Sequence, residues 1–105
     1  MDTDVSDERY RSINHSERMI RKMEYYYEKK QLCDVVLVVG RRRIHAHRMV
    51  LSAASDYFSA MFTSDVREAT ENEVTLKQID PDALAGLVDY AYTGECLGDY
   101  TDQCR

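Results

Sequence analysis

The sequence contains no long apolar run, and its acidic N-terminus lacks the hydrophobic segment of a secretion signal. A membrane helix needs about 18 or more consecutive apolar residues, so we expect a protein without a membrane span. Basic charge is also scarce, because 14 lysines and arginines stand against 19 aspartates and glutamates, for a net charge of −5. A general nucleic-acid binder needs a basic surface to contact phosphates, and the charge argues against this class.

Cysteine pairs and catalytic motifs are missing as well. The three cysteines are widely spaced and form no C-x-x-C pair, which predicts reduced thiols in a cytosolic or nuclear protein. No G-x-S-x-G, phosphate-binding loop or H-E-x-x-H motif occurs. Ser52, Ser55 and Ser59 lie in an apolar helical region, where serine caps or packs more often than it acts as a nucleophile. The sequence therefore predicts a protein that is not an enzyme and has no cofactor.

What the sequence does contain fits one small domain with one core. It has 105 residues, of which 44% are hydrophobic and 31% charged, as in soluble globular proteins. Residues 1–13 are polar and predict a flexible tail. Asn14 and Glu17 have the spacing of a capping box and begin an amphipathic helix that runs to about Lys30. Its apolar stripe consists of Met19, Ile20, Met23, Tyr26 and Tyr27.

The remaining pattern predicts an α+β fold. A β-branched run at 34–39, a turn at Gly40 and an alternating segment after it predict a β-hairpin. Two short helices follow, one at 49–54 and one that Ser55-Asp56 caps. A short strand at 74–79 precedes a helix that begins at Asp80-Pro81 and ends at Gly94.

The segments LCDVVLVVGRRRIHAHRMVLSAASDYFSAMF and TSDVREATENEVTLKQIDPDALAGLVDYAYTG together resemble the BTB/POZ domain of the kelch-like proteins. The matching motifs are Cys33-Asp34-Val35, Ala46-His47-Arg48, Val50-Leu51, Ser55-Asp56-Tyr57-Phe58, Ala60-Met61-Phe62 and Tyr92-Thr93-Gly94. The resemblance implies a BTB/POZ fold, in which a small mixed sheet is flanked by a cluster of short helices. It assigns residues 14–94 to a partial BTB/POZ domain. Residues 95–105 form a divergent tail where the family has further helices, so these C-terminal helices are expected to be missing.

The resemblance also implies a function in protein–protein interaction. Kelch-like proteins dimerise, with themselves or with other BTB proteins, and many bind cullin-3, so that a substrate held by their kelch region is ubiquitinated. The implied location is the cytoplasm, in some cases with the cytoskeleton. Two alternatives stay open, namely an actin-organising kelch protein without a ligase role and a BTB module of a transcriptional repressor.

Site residues follow from the apolar stripe and from the resemblance. From its pattern alone, the stripe of Met19, Ile20, Met23 and Tyr26 could pack within its own chain or against a partner. The resemblance favours a symmetric partner and places these residues at a dimer interface. The resemblance adds Asp34 and Arg48, as a buried charged pair near that interface. It also implies a cullin-3 site, because Val66 and Glu68 have the apolar-x-Glu spacing of cullin-binding members and follow Phe62.

Two other clusters have competing interpretations. His45 and His47 would point to the same face of a strand and could chelate a metal, but no further ligand pair occurs. The resemblance instead gives His47 a structural role near the start of a buried helix, and we predict no metal site. Arg41-Arg42-Arg43 could bind phosphate, but a solvated hairpin tip is the favoured interpretation in an acidic chain.

Overall fold

Secondary structure follows the predicted order along the chain. The computed structural model describes residues 10–64 and 71–95. Its elements are α1 (His15–Glu28), β1 (Val35–Val39), β2 (Arg42–Ala46), α2 (Arg48–Ala54), α3 (Asp56–Thr63), β3 (Glu73–Thr75) and α4 (Pro81–Thr93). This arrangement confirms the predicted α+β class. In the part of the chain described, no helix is both long enough and apolar enough to span a bilayer.

The three strands form a mixed sheet in the order β2-β1-β3. β1 pairs antiparallel with β2, where Leu37 lies opposite Ile44, and parallel with β3, where Leu37 lies opposite Val74. Gly40 closes the predicted hairpin with a φ of 59°, a value that glycine adopts without steric cost. The core consists of alternate strand residues and the inner faces of α2, α3 and α4: Val35, Leu37, Val39, Ile44, Ala46, Leu51, Phe58, Val74, Leu84, Leu87, Val88 and Tyr92.

Helix α4 begins and ends as its sequence predicts. The Asp80 carboxylate accepts a hydrogen bond from the backbone N–H of Ala83 at 3.0 Å, and Pro81 occupies the first turn. Gly94 ends the helix in the left-handed conformation, with a φ of 75°, and its N–H donates to the Tyr90 carbonyl. These two ends fix the position of Tyr92, which lies in the last turn of α4.

Helix α1 is attached to the domain by one side only. It contains no fully buried residue, and Met23 and Tyr27 are its members that pack against the core. The predicted capping box is wrong, because the Asn14 side chain makes no capping hydrogen bond and accepts one from the Ser12 hydroxyl at 3.1 Å instead. Much of α1 therefore remains open to solvent or to a partner.

Candidate interaction surface

A partly buried hydrogen-bond network lies beneath α1, with His47 at its centre. We call it the polar joint, and it consists of His47, Tyr92 and the Gln31 carbonyl. β2 ends at Ala46, and His47 follows it as the N-cap residue of α2, with a backbone that is still extended. The His47 backbone N–H donates to the Tyr92 hydroxyl at 2.9 Å, and Nδ1 of its ring lies 2.6 Å from the same oxygen. Nε2 lies 2.8 Å from the carbonyl oxygen of Gln31, just after α1. The joint thus connects the end of α1, the start of α2 and the end of α4.

The partners of His47 define its tautomer. A carbonyl oxygen only accepts hydrogen bonds, so Nε2 carries the proton that it donates to Gln31. Nδ1 then accepts from the Tyr92 hydroxyl, which itself accepts from the His47 backbone N–H. With this tautomer, both ring nitrogens of His47 have a hydrogen-bond partner.

Burial changes the acidity of the groups around this joint. The Tyr27 ring stacks on the Tyr92 ring with centroids 4.2 Å apart, and burial, with a smaller effect of the Asp89 charge, raises the pKa of Tyr27 to about 12. Burial likewise raises the pKa of Tyr92. The Cys33 thiol lies 3.7 Å from Nε2 of His47, and burial, followed by the Asp34 charge, raises its pKa. A raised pKa keeps the thiol protonated and poorly reactive.

Next to the joint, an open cleft of about 250 Å³ separates α1 from α2. Met23, Tyr26 and Asp34, three of the predicted interface residues, line this cleft. Its rim is formed by Leu32 and Met49, each 76% exposed. We call this region the α1–α2 cleft, with the lining residues Met23, Tyr26, Leu32, Asp34, His47, Met49 and Val50.

Sequence periodicity did not indicate the two rim residues. Leu32 lies in the loop between α1 and β1 with a φ of 63°, a conformation that leucine rarely adopts. Met49 lies in a dense apolar run whose inward residue is Leu51, and nothing in that run marks Met49 as exposed. Loop conformation and helix rotation, which depend on tertiary packing, decide both exposures.

Met19 and Ile20 lie outside the cleft, on two different sides of α1. Met19 is 45% exposed and lies beside Arg18 and Lys22. Ile20 is 44% exposed and faces Thr93 at the end of α4. The predicted apolar stripe is therefore divided, and half of each of these side chains is available for further contact.

Asp34 and Arg48 are paired, but the pair is not buried in the single chain. The Arg48 backbone N–H donates to Oδ1 of Asp34 at 2.8 Å, and its guanidinium lies 3.9 Å from Oδ2. The guanidinium also donates to the carbonyl oxygens of Asp34 and Glu71. The side chain of Asp34 is 56% exposed and that of Arg48 20% exposed, so the pair is only partly buried in the single chain. Their location at a dimer interface stays a prediction.

Of the predicted cullin-3 residues, Phe62 can be located. It is half-buried, its ring stacks on Phe58 with centroids 6.1 Å apart, and the Arg48 guanidinium lies over it at 5.5 Å. Val66 and Glu68 lie outside the described residues. Arg48 thus contacts one predicted interface residue, Asp34, and one predicted cullin-3 residue, Phe62.

The hairpin arginines make ion pairs within the domain. Arg42 donates to Asp82 at 3.1 Å and to the Pro81 carbonyl at 3.3 Å, at the start of α4. Arg43 donates to Glu73 on β3. These pairs neutralise most of the cluster, which favours the hairpin-tip interpretation over phosphate binding. Within residues 10–64 and 71–95, no group of three or more histidine, cysteine, aspartate or glutamate side chains could hold a metal ion.

Comparison with known proteins gives consistent matches. The BTB/POZ domain profile matches residues 23–102. The chain is 56% identical over 97 residues to mouse Kelch-like protein 1, and 57% identical over 94 residues to human Kelch-like protein 4. These matches cover 92% and 90% of this chain but 13% of each relative, so the chain spans about an eighth of their length. Among known structures, the BTB domain of zebrafish PATZ1 matches with a TM-score of 0.75 and 28% identity, over 87% of this chain and 73% of that one.

Proposed function

The chain belongs to the BTB/POZ domain family, and from this membership we propose that it is the dimerising module of a kelch-like adaptor. The adaptor is not an enzyme: it brings a substrate to a cullin-3 ubiquitin ligase in the cytoplasm. The similarity to Kelch-like proteins 1, 4 and 5, at 54–57% identity, supports the family context. The observation that carries dimerisation is the α1–α2 cleft, with its two exposed apolar residues on the rim.

The chemistry of the cleft favours a second copy of the chain as its occupant. Leu32 and Met49 expose apolar surface on either side of a half-open cleft whose floor is also apolar. Exposed apolar side chains that gather around one concave site mark a protein-binding surface. A two-fold axis at this site would let the rim residues of each protomer cover those of the other, which gives a closed dimer.

Replacement of one rim residue tests the dimer. We expect Met49→Ser to shift the chain towards monomer in analytical ultracentrifugation, because both copies of the side chain lose apolar contact. Ile13→Ser is the matched control, since Ile13 is fully exposed and lies outside the cleft. A Met49→Ser chain that sediments like the unmutated chain would contradict the proposal.

The charged pair provides a second, independent test. Asp34→Asn keeps the size of the side chain and removes the charge beside Arg48. We expect it to weaken dimerisation while thermal stability changes little, because the Asp34 side chain is 56% exposed in the single chain. If the dimer persists at the same concentration, Asp34 has no part in the interface.

The cullin-3 part of the proposal is supported by the Val66-x-Glu68 pattern, which follows the half-buried Phe62. An apolar side chain and a carboxylate two positions apart in the sequence suit a partner surface with an apolar pocket and hydrogen-bond donors. We expect the double variant Val66→Ala, Glu68→Ala to lose cullin-3 in a pull-down while its dimerisation is unchanged. Equal recovery of cullin-3 by the variant would show that cullin-3 does not bind through Val66 and Glu68.

A further inference from the structure

Three kinds of surface run along α1. Its inner side carries Met23 and Tyr27, which pack against the core. A second side carries Glu17, Glu24 and Glu28, with Arg21 paired to Glu17 at 3.8 Å. The third side is basic and aromatic, and we call it the basic stripe: His15, Arg18, Lys22, Tyr25 and Lys29.

The residues of the basic stripe follow one another at spacings of three and four, so they form a straight line on the helix surface. At 1.5 Å per residue the line is about 21 Å long. All five residues are exposed, and the ammonium groups of Lys22 and Lys29 each lie 6.0 Å from the centre of the Tyr25 ring. The Tyr25 ring thus makes a cation–π contact with each of these two lysines.

The cations of this stripe are not neutralised within the part of the chain that the structure describes. The ion pairs found there involve Arg21, Arg42, Arg43 and Arg48, and none involves Arg18, Lys22 or Lys29. The contrast with the hairpin is clear, because there the arginines face carboxylates of α4 and β3. These exposed cations are therefore available to pair with an anionic ligand.

We propose that the basic stripe of α1 is a docking site for a short acidic peptide segment of a partner protein. Charge complementarity selects a negatively charged partner, and the exposed Tyr25 offers apolar contact between the charges. The flanking carboxylates of Glu24 and Glu28, together with the net charge of −5, repel a broad polyanion. A single peptide strand or helix is narrow enough to contact the stripe alone, whereas a membrane or a double-stranded nucleic acid is not.

The inference does not depend on dimerisation, and its test uses the full chain. The probe is a fluorescein-labelled peptide of glutamate and glycine around one phenylalanine, about eight residues long, enough to span the stripe when extended. The same peptide with glutamine for glutamate, an oligothymidine and phosphatidylserine vesicles represent the competing ligands. Lys22→Gln with Lys29→Gln removes two charges from the stripe, and Arg41→Gln with Lys77→Gln removes two exposed charges elsewhere as the matched control.

We expect the acidic peptide to bind and the Lys22, Lys29 variant to lose about five- to tenfold in affinity, with the control variant unchanged. Sedimentation of the stripe variant should remain that of the unmutated chain, which separates this result from a failure of the proposed dimer. An equal loss in the control variant would reveal unspecific charge attraction and overturn the proposal. Absence of peptide binding, or stripe-dependent binding of the oligothymidine or the vesicles instead, would overturn it as well.

Discussion

Replacing Tyr92 by phenylalanine removes one oxygen atom from the joint beneath α1 and leaves the ring in place. Tyr92 is 1% exposed, so water cannot replace the lost hydroxyl from the Tyr92 side. Two groups of His47 lose their partner, the backbone N–H at 2.9 Å and Nδ1 at 2.6 Å. The ring stack with Tyr27 needs no hydroxyl and should persist.

The expected cost follows from the groups left without a hydrogen bond. A buried polar group without a partner costs about 1–3 kcal/mol, and half-buried His47 can recover part of this by binding water. We therefore expect Tyr92→Phe to lower the free energy of unfolding by about 2 kcal/mol. For a domain of this size, a loss of about 2 kcal/mol lowers the melting temperature by roughly 10 °C.

Thermal unfolding followed by circular dichroism measures this loss, and Tyr57→Phe is the control. Tyr57 is 48% exposed, so removal of its hydroxyl should change the melting temperature little. If Tyr92→Phe melts within about 2 °C of the unmutated chain, His47 is not held by this hydroxyl and the joint does not fix α1.

Three further predictions follow from named contacts. Burial raises the pKa of Tyr27 to about 12, above the ordinary value of 10.0, so the hydroxyl of the unfolded chain loses its proton at a lower pH than that of the folded chain. The free energy of unfolding should therefore fall as the pH rises from about 10 towards 12. Tyr27→Phe should reduce that fall, which urea unfolding at several pH values measures. Asp80→Ala removes the cap of α4 and should cost about 1 kcal/mol, measured by urea unfolding, and Asp80→Asn should retain most of the stability. Leu51→Ala empties a site that is 0% exposed and should cost about 2–5 kcal/mol, so a loss below about 1 kcal/mol in the same assay would contradict its central position in the core.

Local sequence signals predicted the elements whose stability is decided locally. Helix α4 is framed by a capping carboxylate, a proline and a C-terminal glycine, and the structure uses all three as expected. The hairpin follows from a β-branched run and the glycine turn, and inward residues alternate with outward ones along its strands. In these elements, the residues from which the structure is predicted are also the residues that stabilise it.

Contacts over long sequence distances could not be predicted from the same signals. His47 and Tyr92 are 45 residues apart, and their pairing requires the strand to end at Ala46, one residue earlier than the alternating pattern indicates. Arg42 meets Asp82 across 40 residues because the hairpin tip reaches the start of α4. Each of these pairings depends on how the helices and strands pack together, and no local sequence pattern predicts that packing.

The rim of the α1–α2 cleft determines how strong the proposed dimer can be. Complete burial of a large apolar side chain contributes about 1.5–3 kcal/mol, so covering the exposed parts of Leu32, Met49, Met19 and Ile20 in both protomers would contribute about 10 kcal/mol. Association itself costs about 4–15 kcal/mol, which leaves a small margin. A dimer with so small a margin must respond to single changes: loss of both Met49 side chains should remove about 3 kcal/mol, or about a hundredfold in the dissociation constant. Sedimentation over a concentration series resolves such a shift, and a dimer that tolerates Met49→Ser would have to use a different surface.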